Sequence, residues 1–335
     1  MAAAGHKRLV SARDVEIENA FEVADPLWGC LDSHFFERGI SYERSANPFI
    51  VNTLYCETDG MDLLSSGFTL GSRHEGSSAD NKQYKNRFLF KARHPGYQQA
   101  ADEIADRLFP AQKFEGFRPY VRTEIERSSW QSSKATEFRL SDLPSDIAKA
   151  IGGKVSPSAA LRPVFSTPVE RRKYKFYLDV AQFHKSEGTT MIPGFMDIEL
   201  VNNPTQKMKT SGKYICLELS LDEVVYSRPN AGDAIEEILE SQGRNYGELG
   251  RRGVVEYEFK ADASGKNITD EDLVATFTGF GLSLKGLDHE LASQKAGYKP
   301  IQPAKSKAAI GFGLHPDYGA GPHRAAYEKA LEYAP

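Results

Sequence analysis

Cysteine is nearly absent from this chain. Cys30, Cys56 and Cys216 are the only three in 335 residues, an odd and scattered set that fits neither a disulfide framework nor a zinc knuckle. They read as buried or incidental thiols. Long apolar runs are missing too: no stretch approaches the roughly 20 residues that span a bilayer. The amino terminus carries Lys7 and Arg8 with no apolar block behind them, unlike a signal peptide. A cytoplasmic location with no membrane partner is the expectation. Nor is there a surplus of positive charge. With 42 Lys and Arg against 46 Asp and Glu, the net charge is -4 and the pI near 6.1. Nothing draws nucleic acid globally, so no nucleic-acid partner is expected and any anion site has to be local. The histidines at 34, 74, 94, 184, 289, 315 and 323 show no metal-ligand spacing. Ser65-Ser66-Gly67 and Gly311-Phe312-Gly313 are read as loops, because neither joins a strand to a helix as a phosphate-cradling loop does.

What the chain does contain is a repeated alternation. At 40% hydrophobic and 26% charged residues it has ample core for one large or two moderate domains. Successive residues of a strand point to opposite faces. Val254 to Lys260 therefore puts Glu256, Glu258 and Lys260 on one face and Val255, Tyr257 and Phe259 on the other. The same logic recurs along the chain. Val15 to Phe21 shows Glu16, Glu18 and Ala20; Phe68 to Arg73 carries Arg73; Arg87 to Arg93 carries Lys91; Val121 to Arg127 carries Arg122, Glu124 and Glu126. Arg171 to Val180 presents Lys173, Lys175, Tyr177 and Asp179, Phe195 to Leu200 presents Asp197 and Glu199, and Leu217 to Asp222 presents Glu218, Ser220 and Asp222. Phe49 to Thr58 is a further strand, and Glu75 to Asn86 a polar hairpin connection. Arg171 to Tyr177 alternates as a strand rather than forming a stacking platform for nucleic acid.

Helical spacing is expected at Asp25 to Arg38, where Asp25 caps and Pro26 takes the first turn, and at Tyr97 to Phe109. Further helices are expected at Ser141 to Ile151 with Ser141 as cap, at Gly232 to Glu240, and from Thr269 to about Phe280. Ala296 to Gly321, rich in Gly, Pro and Lys, reads as loop, followed by a short helix at Arg324 to Leu331. The domain division is a body over 10–295 and a loop-rich tail over 296–335.

Acidic residues come in pairs two apart, while lone bases sit on intervening strands. Paired carboxylates on adjacent strands repel unless a cation lies between them. An ordinary sandwich would turn the charged face to water. The pattern makes physical sense if the strands close into a barrel with the charges inside, the acids holding a hard divalent ion and the bases clamping phosphate oxygens. Helices would then cover the apolar outer face.

These residues resemble a known family. Glu16-Ile17-Glu18 is similar to the paired-glutamate signature of the CYTH domain, the triphosphate tunnel metalloenzymes. Tyr55-x-x-Thr58-Asp59-x-x-Asp62-Leu63-Leu64-x-x-Gly67-Phe68-x-Leu70-x-x-Arg73 resembles that family's next motif. Phe88 to Lys91, Arg122-Thr123-Glu124 and Leu219 to Asp222 resemble its lysine, arginine-glutamate and aspartate strands, and Glu256-Tyr257-Glu258 its terminal pair. The resemblance covers most of residues 10 to 300. It implies an α+β fold, an eight-stranded antiparallel β-barrel with helices packed outside, binding a triphosphate-containing small molecule or nucleotide. It implies a metal-dependent hydrolase of inorganic, nucleoside or thiamine triphosphate, with an adenylate cyclase or a binding-only protein as alternatives. Homodimerisation is left open.

Carried over by position, Glu16, Glu18, Glu256 and Glu258 would be catalytic and metal-binding, with Glu124 and Asp222 as further ligands. Arg73, Lys91, Arg122, Arg171, Lys173 and Lys260 would bind phosphate. The metal would be Mg2+ or Mn2+, since an all-oxygen set suits hard cations. The family's opening signature ends in lysine where this chain has Ala20, and its arginine pair is reduced to Gly71 and Arg73. Lys260, on the face of Glu256 and Glu258, is the candidate replacement for the missing charge. The large insertions, Gly96 to Arg118, Ser128 to Leu161 and Asn202 to Lys213, suit partner recognition or ligand closure.

Overall fold

Eight strands use the alternation to turn their charged residues inward. They are β1 (Val15–Val23), β2 (Phe49–Glu57), β3 (Phe68–Ser77), β4 (Asp80–Arg93), β5 (Tyr120–Ser128), β6 (Arg162–Asp179), β7 (Tyr214–Ser227) and β8 (Glu248–Phe259). The computed structural model describes residues 8–12, 14–23, 43–44, 49–77, 80–109, 119–128, 137–180, 213–228, 248–294 and 296–331. Around the barrel the order is β1-β5-β4-β3-β2-β6-β7-β8, and β8 pairs back to β1 with Glu18 opposite Glu258 and Ala20 opposite Glu256. All pairings are antiparallel. The closed eight-stranded α+β barrel is the architecture that the strand pattern and the resemblance both imply.

The apolar faces look outward and are covered by helices. Ile17, Phe21, Val121, Leu217, Leu219 and Tyr257 pack against α4 (Asp270–Gln294) through Leu273, Val274, Phe277 and Phe280, and against α2 (Pro95–Leu108) through Ala101 and Ala105. Leu70, Phe88, Phe90 and Ile125 pack against α3 (Ser145–Ile151) through Ile147 and Ile151. Burying each such large side chain is worth roughly 1.5–3 kcal/mol, so much of the body's hydrophobic stabilisation lies outside the barrel wall.

A third cluster lies at one end of the barrel. Inward-facing Tyr55, Phe165, Val169, Val224, Tyr226 and Val254 meet Ala308 and Phe312 of α5 (Lys307–Leu314) and Tyr318 of α6 (Pro316–Gly319). Phe165 stacks on Tyr55 at 4.9 Å and meets the edge of Phe312 at 4.9 Å. With α7 (Arg324–Leu331) and α1 (Asp62–Ser65), these helices cap that end. The segment enters through Gln302–Pro303, which pairs with β1, and Ala304 N–H donates to the Ala20 carbonyl at 2.8 Å.

Several expectations are corrected. β6 starts at Arg162, ahead of the expected Arg171, with Pro163 and Pro168 tolerated inside the ladder. β3 runs to Ser77 and β4 starts at Asp80, so most of the polar Glu75 to Asn86 stretch is strand. The expected helix at Ser141 is a 3-10 turn over Leu140–Asp142 followed by Pro144 and then α3; Ser141 caps nothing. α4 continues beyond Phe280 to Gln294. Part of the expected loop from 296 is helical, because Ser306 caps α5 by accepting from Ala309 N–H at 3.2 Å. The expected final helix is α7. Cys56 and Cys216 are buried free thiols. Cys30, the helices at 25–38 and 232–240 and the strand at 195–200 lie outside the described residues. No described helix is long and apolar enough to cross a membrane.

Candidate functional site

The interior is a lattice of ion pairs built by register. Glu16 of β1 lies opposite Arg122 of β5, and the guanidinium forks: Nε donates to Glu16 Oε2 at 2.5 Å and Nη2 to Glu18. Lys91 of β4 reaches Glu124 at 2.5 Å and Glu16 at 3.3 Å. Arg73 and Arg87 share Glu126, each at 2.6 Å. On the opposite wall Arg171 takes Asp222 bidentately, at 2.8 and 2.7 Å, and Lys173 pairs with Glu218. Lys260 pairs with Glu258. Lys307, from the first turn of α5, enters the barrel end and sits 2.6 Å from both Asp222 and Glu256.

Packing so many charges together splits the carboxyls into two kinds. Burial raises the Glu16 carboxyl, but Arg122 and Lys91 outweigh it and hold the group well below its ordinary range. Glu256 is likewise lowered, burial being outweighed by Lys307 and Arg171. Burial pushes Glu18 up to about 8, only partly offset by Arg122. Burial and the neighbouring Glu16 charge raise Glu124 to about 7 and lift Glu258 well above its usual value. Glu124 and Glu258 are both within hydrogen-bond contact of Glu16. Three carboxyls are thus crowded together, with burial and mutual repulsion raising the outer two while the bases keep the middle one lowered.

Between this lattice and the cap lies a cleft whose empty space, counted together with the open solvent at its mouth, is roughly 930 Å3. Its charged wall is Arg73, Lys91, Arg122 and Lys307 with Glu18 and Glu256; Arg93 and Lys305 add two further bases. Six bases line the cleft, and although four of them are already paired with lattice carboxylates, together they offer many donors to a phosphate-like anion.

A clasp in the chain positions its edge. Glu57 accepts from Thr58 N–H at 2.8 Å, Leu63 N–H at 3.0 Å and Leu64 N–H at 2.7 Å, while Thr58 and Asp62 bond each other at 2.9 Å. The clasp satisfies the first turn of α1 and sets Leu64 on the cleft wall. Gly67 follows with φ of 74°, the left-handed turn that starts β3.

Of the residues singled out in the sequence, Glu16, Glu18, Glu124, Asp222, Glu256 and Glu258 all face the interior lattice. Arg73, Lys91 and Arg122 line the cleft, whereas Arg171, Lys173 and Lys260 are held on carboxylates away from it. Lys260 lies at the level of Glu16 rather than Ala20, four residues or about 13 Å along the strand. The base near Ala20 is Lys307, which sequence reasoning missed because it lies in the stretch read as loop. Arg87 and Lys305 were also missed. The pair Asp197 and Glu199 lies outside the described residues.

No family model matches the chain, and no curated protein does. Solved structures similar to it include a candidate adenylate cyclase from Bacillus halodurans, at 13% identity and a TM-score of 0.36, covering 87% of this chain and 96% of that one. Another is the candidate adenylyl cyclase HpAC1 from Hippeastrum, described as having a dominant triphosphatase activity, at 16% identity and 0.38 over 88% and 94%. A third is the PH1819 protein of Pyrococcus horikoshii, at 12% and 0.33 over 85% and 93%. Likeness at this level carries no argument about what the chain does.

Proposed function

We propose that the chain is a metal-dependent hydrolase of a triphosphate compound, bound in the cleft inside the barrel. The observation that carries this reading is the cleft itself: Arg73, Lys91, Arg122 and Lys307 converge on one partly open cleft from three strands and the cap helix. Bases preorganised in a water-poor site stabilise charge that develops on phosphoryl oxygens more strongly than they would in water.

A divalent ion fits the group of Glu124, Glu16 and Glu258. Among the described residues there is no ready-made cluster of three protein ligands, yet these carboxyls lie in contact, and a hard cation would be held between them. The all-oxygen donor set suits Mg2+ or Mn2+. Asp222, held by both Arg171 and Lys307, is the least available of the expected ligands. When bound, the ion would polarise phosphoryl oxygens. The chain's own groups do the rest: Arg122 and Lys91 neutralise and orient the phosphates, Lys307 supplies the charge that Ala20 does not, and the cap restricts water.

The test is incubation of the full chain with tripolyphosphate, ATP and thiamine triphosphate, each with Mg2+, Mn2+ or EDTA, following phosphate, diphosphate and cyclic nucleotide. Metal-dependent phosphate release that is lost in Glu16→Gln is expected. Cyclic product would redirect the reading to a cyclase, tight binding without product to capture alone, and no binding at all would end it.

A further inference from the structure

The six carboxylates expected to hold metal do not form one set. Asp222 of β7 and Glu256 of β8 stand diagonally on adjacent strands, since Ser220 rather than Asp222 lies opposite Glu256, and both turn to one spot inside the barrel. That spot is filled. The Lys307 ammonium lies 2.6 Å from Asp222 Oδ2 and 2.6 Å from Glu256 Oε2, bridging carboxylates of two strands as a hard cation does. The side chains of Lys307, Asp222 and Glu256 are 13%, 0% and 14% exposed, so water screens the contact little. Arg171 holds Asp222 from the other side through Nε and Nη2. Two acids here meet two bases. Around Glu16 the balance differs: Glu16, Glu18, Glu124 and Glu258 share Arg122, Lys91 and Lys260. Four acids meet three bases there, which leaves one carboxyl over.

We propose that Lys307 is a tethered cation in the place of a second divalent ion, so that the barrel takes one ion, on the Glu16 side. The inference rests on the metal-dependent reading and concerns how many ions that reading needs. An ammonium has three donors. Asp222 and Glu256 take two, which leaves one for a ligand in the cleft that Lys307 lines. A dication entering between Asp222 and Glu256 has to displace the ammonium, and a lysine cut off from its partners in this enclosed space is an uncompensated charge. The closed cap and a second ion therefore exclude each other. A lysine that merely seats α5 differs in one respect. Without Lys307, Asp222 and Glu256 carry two charges against Arg171 alone, and a carboxylate pair short of positive charge draws Mg2+ or Mn2+ only if the spot is a cation position.

The test is titration of the full chain with Mn2+, bound ions being counted from the loss of the free ion's electron paramagnetic resonance signal. Wild type is expected to bind a single ion per chain and Lys307→Met one more, and adding Glu256→Gln to Lys307→Met should abolish the gain. A second ion on wild type, no gain in Lys307→Met, or a gain that survives Glu256→Gln overturns the inference while leaving the metal-dependent reading standing. Melting gives an independent readout: Mn2+ at about 100 times its dissociation constant should raise the melting temperature of Lys307→Met by about 4 °C beyond its effect on wild type. If Lys307→Met is unfolded without metal, Mn2+ should refold it, as followed by circular dichroism; a chain that stays unfolded in excess Mn2+ overturns the inference. Wild type that binds no ion overturns the metal-dependent reading beneath, and a first ion gained by Lys307→Met would then still support Lys307 as the built-in cation.

Discussion

At the scale of single residues, Lys307 and Glu57 carry the clearest consequences. Lys307 is nearly enclosed, and its ammonium lies 2.6 Å from two carboxylates; those partners outweigh burial and raise its pKa. Removing one member of a buried pair costs more than the pair contributes, because the remaining charge is left uncompensated. Lys307→Met should therefore destabilise the fold by about 3 kcal/mol at neutral pH, and Lys307→Met with Glu256→Gln should recover much of that. Urea denaturation of both variants checks it; simple additivity of the two losses would refute it. Glu57 gives a pH prediction. It is buried at the α1 clasp, and burial lifts its carboxyl to about 7 despite three backbone N–H donors. Its folded pKa exceeds its unfolded one, so its contribution is full below the unfolded value and is lost as pH rises through 7. A gap from 4.5 to about 7 corresponds to about 3 kcal/mol. Glu57→Gln should accordingly gain about that much on wild type between pH 4 and pH 8. Denaturation midpoints that stay parallel across that range would contradict the assignment.

At the scale of elements, α5 decides whether the cleft exists. Its seat is tight at Gly311, where an added Cβ would overlap the ring of Phe165. Gly311→Ala should push the helix off its seat at a cost of about 1–3 kcal/mol, as overpacking does, and weaken tripolyphosphate binding because Lys307 moves with the helix. Unchanged affinity with lowered stability would separate the cap from the site. This helix also marks how far sequence reading reached. The barrel strands were legible because every turn of the zigzag alternates charge with apolar bulk, as in Glu16-Ile17-Glu18 and Glu256-Tyr257-Glu258. Arg73, Lys91 and Arg122 were legible as lone bases between acidic pairs. What stayed hidden lacks that periodicity. The early part of β6 contains Pro163 and Pro168, which argue against a strand until a bulge between Tyr55 and Cys56 is seen to adjust the ladder. α5 contains Gly311 and Gly313, poor helix formers that are kept small because Phe165 and Tyr327 press on them. Lys307 was hidden with it. It lies 51 residues beyond Glu256 in the chain, and no local pattern ties the two; only closure of the barrel end does.

At the scale of the whole molecule, charge balance governs what can bind. Among the described residues, Arg73, Arg87, Lys91, Arg122, Arg171, Lys173, Lys260 and Lys307 each already face an interior carboxylate. The lattice is close to neutral as it stands. A triphosphate adds several negative charges to a buried space, and isolated charge in a low-dielectric interior is expensive. The balance can be restored in two ways: a divalent ion enters with the ligand, or carboxyls still partly ionised, such as Glu124, held at about 7, take up protons. Tripolyphosphate at about 100 times its dissociation constant in Mg2+ should raise the melting temperature by about 4 °C for a chain of this length. In EDTA the affinity should fall, and what binding remains should draw protons from solution, so that the measured heat changes with the ionisation enthalpy of the buffer. Binding that is equally tight in EDTA and independent of buffer would mean the ligand sits outside the lattice, where its charge is met by water.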